Sequence, residues 1–257
     1  MVTRQLGLDR SLPEQYLVYL GRLFRADLGV SFQTRQPVIR EILGRYPVSL
    51  ILAVSALAFA LAVGIPLGII AAVRRGGWVD ASVSMIAVAG VSMPNFWLGL
   101  LLIYTFSVRY QWFPTFGLES WRHLVLPAIT LSTYTLALVA RMTRSSLIEA
   151  LNQDYTRTAR AKGLRSHVVT LKHALKNSMI PTVTVAGLSL GNLIGGAVIV
   201  ESVFNINGLG RLSLNAVLGR DVPVVQAILL FVALNFIVAN LLVDVVYAWL
   251  NPRIRYS

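Results

Sequence analysis

The sequence predicts an all-α polytopic membrane protein, and three observations predict it. Apolar residues make up 56% of the 257 positions and charged residues only 13%. Long charge-poor runs recur at 46–73, 81–108, 123–140, 177–200 and 222–243. The basic residues gather in the turns and at the ends of these runs. A hydrocarbon core of ~30 Å needs roughly 20 apolar helical residues, with a range of about 17–25. Backbone groups in lipid must bond internally, and the runs lack the alternation of a barrel strand, so each is expected to be a helix.

The same composition excludes other classes. With no cysteine there is no disulfide framework and no thiolate metal site. The net charge of +12 does not indicate nucleic acid, because basic loops are what positive-inside topology demands.

In chain order, residues 1–45 precede the first run and read as an amphipathic region. Ser11-Leu12-Pro13-Glu14 has capping-box spacing, and Leu17, Leu20, Phe24 and Leu28 recur on one helical face before Gly29. A second short helix is expected over 38–44, ahead of Pro47. The first span, 46–73, ends at the basic turn Arg74-Arg75-Gly76-Gly77. The second, 81–108, is interrupted by Pro94 after Gly90-Val91-Ser92-Met93, which predicts a kink or a break. Such a bend is either ordinary or placed beside a substrate path. The third span is at the short end, and Arg141 and Arg144 can snorkel to extend it. The fourth carries Gly187, Gly191 and Gly195 at four-residue spacing, followed by Gly196, a face suited to close helix packing or to a cavity wall. Asn192, Asn235 and Asn240 are expected to bond between helices, and Asp244 is the ionisable residue well inside a span.

Orientation comes from charge. The 74–77 turn, the 141–177 stretch and Arg253/Arg255 fall on one side if all five helices cross, and that side is the cytoplasm. Residues 109–122 and 201–221 are then outside, where Trp112, Phe113, Phe116 and Trp121 suit the headgroup region. Residues 1–45 also fall outside, although they hold seven arginines. Met1-Val2-Thr3-Arg4 offers no signal peptide, so a further upstream transmembrane helix is expected, giving six in all.

No catalytic constellation is present. His123, His167 and His173 lack metal-ligand spacing, and neither Gly-x-Ser-x-Gly nor His-Glu-x-x-His occurs. There is no Gly-x-x-x-x-Gly-Lys, so the chain has no P-loop with which to hydrolyse ATP. Any driving energy comes from an ion gradient or from another subunit.

The basic stretch 142–177 is helix-compatible from Ser145 to Lys176, with glycine only at 163. Leu147, Ala150, Leu151, Tyr155 and Ala159 share a face, while Arg157, Arg160 and Lys162 are polar. Gly163-Leu164 suggests a stop, and a second helix is expected from about Ser166, carrying Val169, Leu171, Ala174 and Leu175. Two short helices joined at a glycine form a cytoplasmic knob suited to a protein partner, or an interfacial helix on anionic lipid.

The run Asp154-Tyr155-Thr156-Arg157-Thr158-Ala159-Arg160-Ala161-Lys162-Gly163-Leu164, with Lys172-His173-Ala174-Leu175-Lys176-Asn177 and Ile180-Pro181, resembles the cytoplasmic loop of ABC-importer permeases of the dipeptide/oligopeptide/nickel family. So do Phe204-Asn205-Ile206-Asn207-Gly208-Leu209-Gly210-Arg211, the turn Arg220-Asp221-Val222-Pro223, and the ending Asn251-Pro252-Arg253-Ile254-Arg255-Tyr256. Leu6-Gly7-Leu8-Asp9 and Asp27-Leu28-Gly29 resemble that family's external region. The wider importer group carries Glu-Ala-Ala where Arg157-Thr158-Ala159 stands here, and Ile-x-Leu-Pro where His173-Ala174-Leu175-Lys176 stands. The peptide/nickel branch shows this variant, although any salt bridge of the missing glutamate has no counterpart.

The resemblance implies a type I importer permease: an external region over 1–45, a transmembrane domain over 46–250 with a coupling loop at 142–177, and a cytoplasmic tail over 251–257. It implies that a 150–165 helix docks in a cleft of an ATPase through Leu151, Asp154, Tyr155, Arg157, Thr158, Ala159, Arg160, Lys162 and Gly163. It places Pro94, Gly187, Gly191 and Gly195 at helix packing or along the path. The implied partners are a second, related permease, two cytoplasmic P-loop ATPases and an extracytoplasmic substrate-binding protein, in a prokaryotic inner membrane with the C-terminus in the cytoplasm. ATP and Mg would be bound by the ATPase, with no cofactor on this chain. Di- or oligopeptides, nickel chelates and glutathione are the implied cargoes, and nothing in the helices separates them. A proton-coupled secondary transporter is the alternative, but it needs a carboxylate relay and internal repeats that the sequence does not clearly offer.

Overall fold

The computed structural model describes residues 11–250; the family-like segments at 6–9 and 251–256 lie outside the described residues. The described chain is helical: α1 (Leu12–Leu23), α2 (Val38–Val73), α3 (Trp78–Ser92), α4 (Asn95–Arg109), α5 (Trp121–Leu151), α6 (Asp154–Ala161), α7 (Ser166–Gly196), α8 (Val198–Val203), α9 (Leu209–Leu218) and α10 (Val222–Leu250). The helices α2, α5, α7 and α10 are each long and apolar enough to cross a bilayer, and α3 with α4 forms a fifth, broken unit bent by 104°.

Helix α5 is the spine, packed by α2, α3, α4 and α7. Glycines let α2 lie close along it. A Cβ on Gly64 would sit 3.0 Å from the Leu136 carbonyl oxygen, and one on Gly68 would sit 2.6 Å from that of Ala140. Contacts along α5 also decide whether the broken pair crosses. Asp80 meets Arg144, Gly90 approaches Thr133, Gly99 approaches Thr130, and Trp112 meets Arg122. That monotonic order runs from one end of α5 to the other, so α3–α4 traverses the bundle rather than turning back. The 74–77 turn and the foot of α5 therefore share one end.

At the opposite end three segments lock together around two buried carboxylates. Asp221 accepts hydrogen bonds from the Ser31 hydroxyl (2.5 Å) and the amides of Phe32 (3.1 Å) and Gln33 (3.3 Å). Glu201, fully buried in α8, accepts from the Ser49 hydroxyl (2.6 Å) and the Arg211 amide (2.9 Å). Ser49 in turn accepts from the Leu209 amide at 2.8 Å. The Gly117 amide donates to the Phe204 carbonyl at 3.0 Å, tying the 110–120 connection to the same cap.

The N-terminal region departs from its sequence pattern in two ways. Helix α1 has the expected capping contact, Glu14 accepting from the Ser11 amide at 3.2 Å, but it ends at Leu23 rather than at Gly29. Ala26 already has φ of 55°, and Leu17 and Phe24 stay exposed at 66% and 88%, so the 17/20/24/28 stripe does not bury as one face. The expected short helix before Pro47 is instead the first turns of α2, which runs unbroken through Pro47 and Pro66. Val38 and Ile42 are fully buried against Leu209, Leu212, Val224 and Ile228, and this packing carries the helix through the hydrogen bond that Pro47 forfeits.

Candidate functional site

The knob expected over 142–177 is built from the end of α5, α6 and the foot of α7. Helix α5 stops at Leu151 with Asn152 as its cap, and the chain reorients through Asn152–Gln153 before α6 begins. The fully buried Thr156 fastens the junction, its hydroxyl donating to the carbonyls of Leu151 (2.8 Å) and Gln153 (2.7 Å). At the far end Gly163 takes φ of +79°, and the Leu164 amide bonds back to the Ala159 carbonyl at 3.3 Å. A left-handed residue with this back-bond is a standard helix terminator, and glycine adopts it without Cβ strain. Asp154 in the first turn and Arg160 in the last suit the helix dipole. A helix of eight residues is thereby held in a defined orientation.

The predicted docking residues divide between two faces. Ala159 is buried (7% exposed) on the side that packs against the segment Val169–Ala174, and Leu151 is half-buried beside Ala72, Leu147, Ala150 and Ala174. Asp154, Tyr155, Arg157, Thr158, Arg160, Lys162 and Gly163 are exposed. The face 147/150/151/155/159 therefore does not exist as one surface. It assumed a continuous helix across 150–165, and the reorientation at Asn152–Gln153 re-phases every residue of α6 relative to α5. Leu164 (41% exposed) and Leu171 (55%) are exposed apolar neighbours of the knob that fall outside the predicted docking set. The Arg157–Asp154 pair at 3.9 Å is fully in solvent and adds little.

The second helix of the knob is not short. It is the foot of α7, continuous with the fourth span through a π-helical stretch, Val169–Ala174. At the same end of the bundle is a contact that no sequence motif announced. Arg144 grips Asp80 with two bonds, Nε to Oδ1 at 2.5 Å and an Nη to Oδ2 at 2.8 Å, while Asp80 also accepts from the Gly76 amide at 3.0 Å. Asp80 is buried, so the pair ties the 74–77 turn to the helix that carries α6.

The glycine stripe of α7 faces α10 within this chain. A Cβ on Gly187 would fall 1.8 Å from Val243 Cγ2, one on Gly191 2.7 Å from the Phe236 ring, and one on Gly195 3.4 Å from Val232. Asn235 links α10 to α2 by accepting from the Tyr46 hydroxyl at 2.7 Å, whereas Asn192 is exposed and, among the described residues, bonds to its own helix at the Leu188 carbonyl. Asp244 lies in α10, with its side chain outside the described residues. Pro94 caps α4 at the break between α3 and α4.

A bundle of five crossing units, with a capped helix projecting between the third and fourth, defines a type I importer permease. Residues 64–256 match the model of the family described as binding-protein-dependent transport system inner membrane component, and the chain belongs to that family. It is 47% identical over its whole length to the glutathione transport system permease protein GsiC of Pectobacterium atrosepticum, and 48% identical to GsiC of Escherichia coli strain K12, covering 84% of each. Among solved structures, it superposes on a chain of the MetNI methionine ABC transporter in an inward-facing conformation with a TM-score of 0.72 at 19% identity. That match covers 84% of this chain and 98% of the other. An amino acid ABC transporter aligns with a TM-score of 0.60 at 16% identity, covering 80% and 92%. The protein is thus a multi-pass inner-membrane permease subunit of an ATP-driven importer of the peptide/nickel type, and ATP is hydrolysed by a separate subunit.

Proposed function

We propose that this permease works with a second, non-identical permease and two P-loop ATPases to import glutathione or short peptides delivered by a substrate-binding protein. The two GsiC relatives support the cargo class, and their identity over the full chain makes glutathione the first substrate to test. In this reading α6 is the element the ATPase grips, residues 142–177 are the coupling loop, and the C-terminus is cytoplasmic. Pro94 and the break it caps border the path, and the α7 glycines keep α10 in place beside it.

One observation carries the docking role: α6 is a short helix fixed at both ends whose outward face makes no hydrogen bond or ion pair to another element among the described residues. Tyr155 is 40% exposed, with exposed Thr158 one turn on, Lys162 at the end of the helix and exposed Arg157 further round it. A partially exposed aromatic on a helix that also carries exposed cations is the composition of an interface anchor and its rim. Glutathione and peptides then move when closure of the ATPases displaces α6 and, through Thr156 and the Asp80–Arg144 clamp, the feet of α5 and α3.

The test is Gly163→Val. A Cβ there meets nothing within 4 Å, so the damage is confined to a backbone at φ of +79°, which costs an L-residue about 1–2 kcal/mol. The variant should assemble with its ATPase and hydrolyse ATP while glutathione uptake falls, and Gly163→Asn should retain most uptake. Unchanged uptake in Gly163→Val would remove the coupling role from this helix.

A further inference from the structure

The break between α3 and α4 lies deep in the bundle. A Cβ on Gly90 would sit 3.1 Å from Thr133 Cγ2. Thr133 is about 18 Å along α5 from Trp121 and about 17 Å from Arg144, at 1.5 Å per residue. The interruption therefore falls near the middle of the membrane-spanning height. Its backbone is only partly bonded. Met93 N–H reaches the Ala89 carbonyl and Leu98 N–H the Pro94 carbonyl, but among the described residues nothing accepts from the amides of Asn95, Phe96 and Trp97. Among the same residues nothing donates to the carbonyls of Gly90, Val91, Ser92 and Met93 either. The segment is also open: Val91 is 39% exposed, Met93 40%, Phe96 50% and Trp97 46%.

Each unbonded amide or carbonyl in hydrocarbon costs several kcal/mol, so non-helical backbone at this depth occurs only against protein or water. An unbroken helix such as α10 has no such constraint, and its exposed Leu234, Ile237 and Leu241 suit lipid without further argument. From this contrast we infer that the α3–α4 break faces the water-filled translocation path, so that Ser92, Met93 and the amides of Asn95–Trp97 form a hydrogen-bonding stretch of its wall. This rests on the path role proposed for Pro94 and names the groups that line it. It gives a mid-membrane surface able to exchange hydrogen bonds with a hydrated cargo rich in amide groups, such as glutathione or a peptide, without any charged side chain.

The chain contains no cysteine, so single cysteines report on their own environment. Thiolates, not thiols, attack methanethiosulfonates, and a thiol ionises only where water reaches it. Ser92→Cys, Met93→Cys and Trp97→Cys would be made in the assembled transporter in membrane vesicles, with Leu241→Cys as the reference. Reaction with a charged, membrane-impermeant methanethiosulfonate should be at least about tenfold faster at 92 or 93 than at 241. Equal rates, or reaction at the break only with a membrane-permeant maleimide, would overturn the inference. So would protection from both reagents with cross-linking to the second permease, which would mean the break is buried between subunits. Co-purification of the ATPase is scored in the same samples. Loss of the ATPase counts against the coupling reading, whereas slow labelling in an intact complex counts against this one alone.

Discussion

Replacing Glu201 by alanine should be among the most damaging single changes outside the spans. The carboxylate lies beyond the end of α7, and no part of it reaches solvent. Its removal strands the Ser49 hydroxyl and the Arg211 amide, both of which donate to it. A buried donor left without a partner costs about 1–3 kcal/mol. Taking the low end for each of the two donors gives about 2 kcal/mol. For a chain of this size a loss of 1 kcal/mol lowers the thermal midpoint by about 2–4 °C, so a drop of roughly 4–8 °C is expected. The assay is thermal unfolding of the purified complex in detergent. The pH dependence supplies an independent check. Burial, opposed by the Ser49 hydroxyl and the nearby backbone amides of Arg211 and Gly210, raises the Glu201 carboxyl above the ordinary carboxylate range. A carboxyl raised in the folded state contributes stability that is complete below the ordinary value of about 4.3 and is lost as pH climbs through the folded value. Glu201→Gln cannot titrate, so its midpoint should gain on the wild type as pH rises above about 4.3. An alanine variant within about 2 °C of the wild type, or a glutamine variant with an unchanged pH slope, would refute the account of this cap.

The packing of α7 on α10 is tested by Gly187→Leu, whose Cβ would overlap Val243; overpacking of this kind costs about 1–3 kcal/mol, and Val243→Ala should recover part of the lost yield of folded complex. The Asp80–Arg144 clamp is tested by Asp80→Asn, which leaves a partly exposed guanidinium facing a neutral amide. Breaking a fully buried pair costs about 3–5 kcal/mol, and the 30% exposure of Arg144 reduces this to roughly 1–3 kcal/mol. A double-mutant cycle with Arg144→Met should show coupling of at least about 0.5 kcal/mol, and strict additivity would mean the two side chains do not act together.

Much of this molecule was legible in one dimension because lipid imposes a one-dimensional constraint. A span must be long, apolar and internally bonded, and those demands show directly in runs such as 46–73 and 222–243. Gly163 was legible for the same local reason, since a terminator is a property of two or three consecutive residues. Pro94 marked the place of the break but not its 104° size, which depends on how α3 and α4 pack on α5. The docking face was misphased because the two-residue reorientation at Asn152–Gln153 carries no glycine or proline to announce it. The buried carboxylates were invisible for a different reason. Asp80 and Arg144 are 64 positions apart, Ser49 and Glu201 are 152 apart, and only folding makes either pair neighbours.

The sequence by itself determined the solvent of this protein, its helical class, the side on which its charge gathers, and the capped helix that marks it as an importer permease. Each rests on local composition or on a few adjacent residues. Only the tertiary structure decided which face of α6 is free, that the glycines of α7 serve α10, and that the broken span crosses the bundle with its unbonded backbone at mid-depth. Those are questions of what lies opposite each residue, and that is set by packing between helices far apart in the chain.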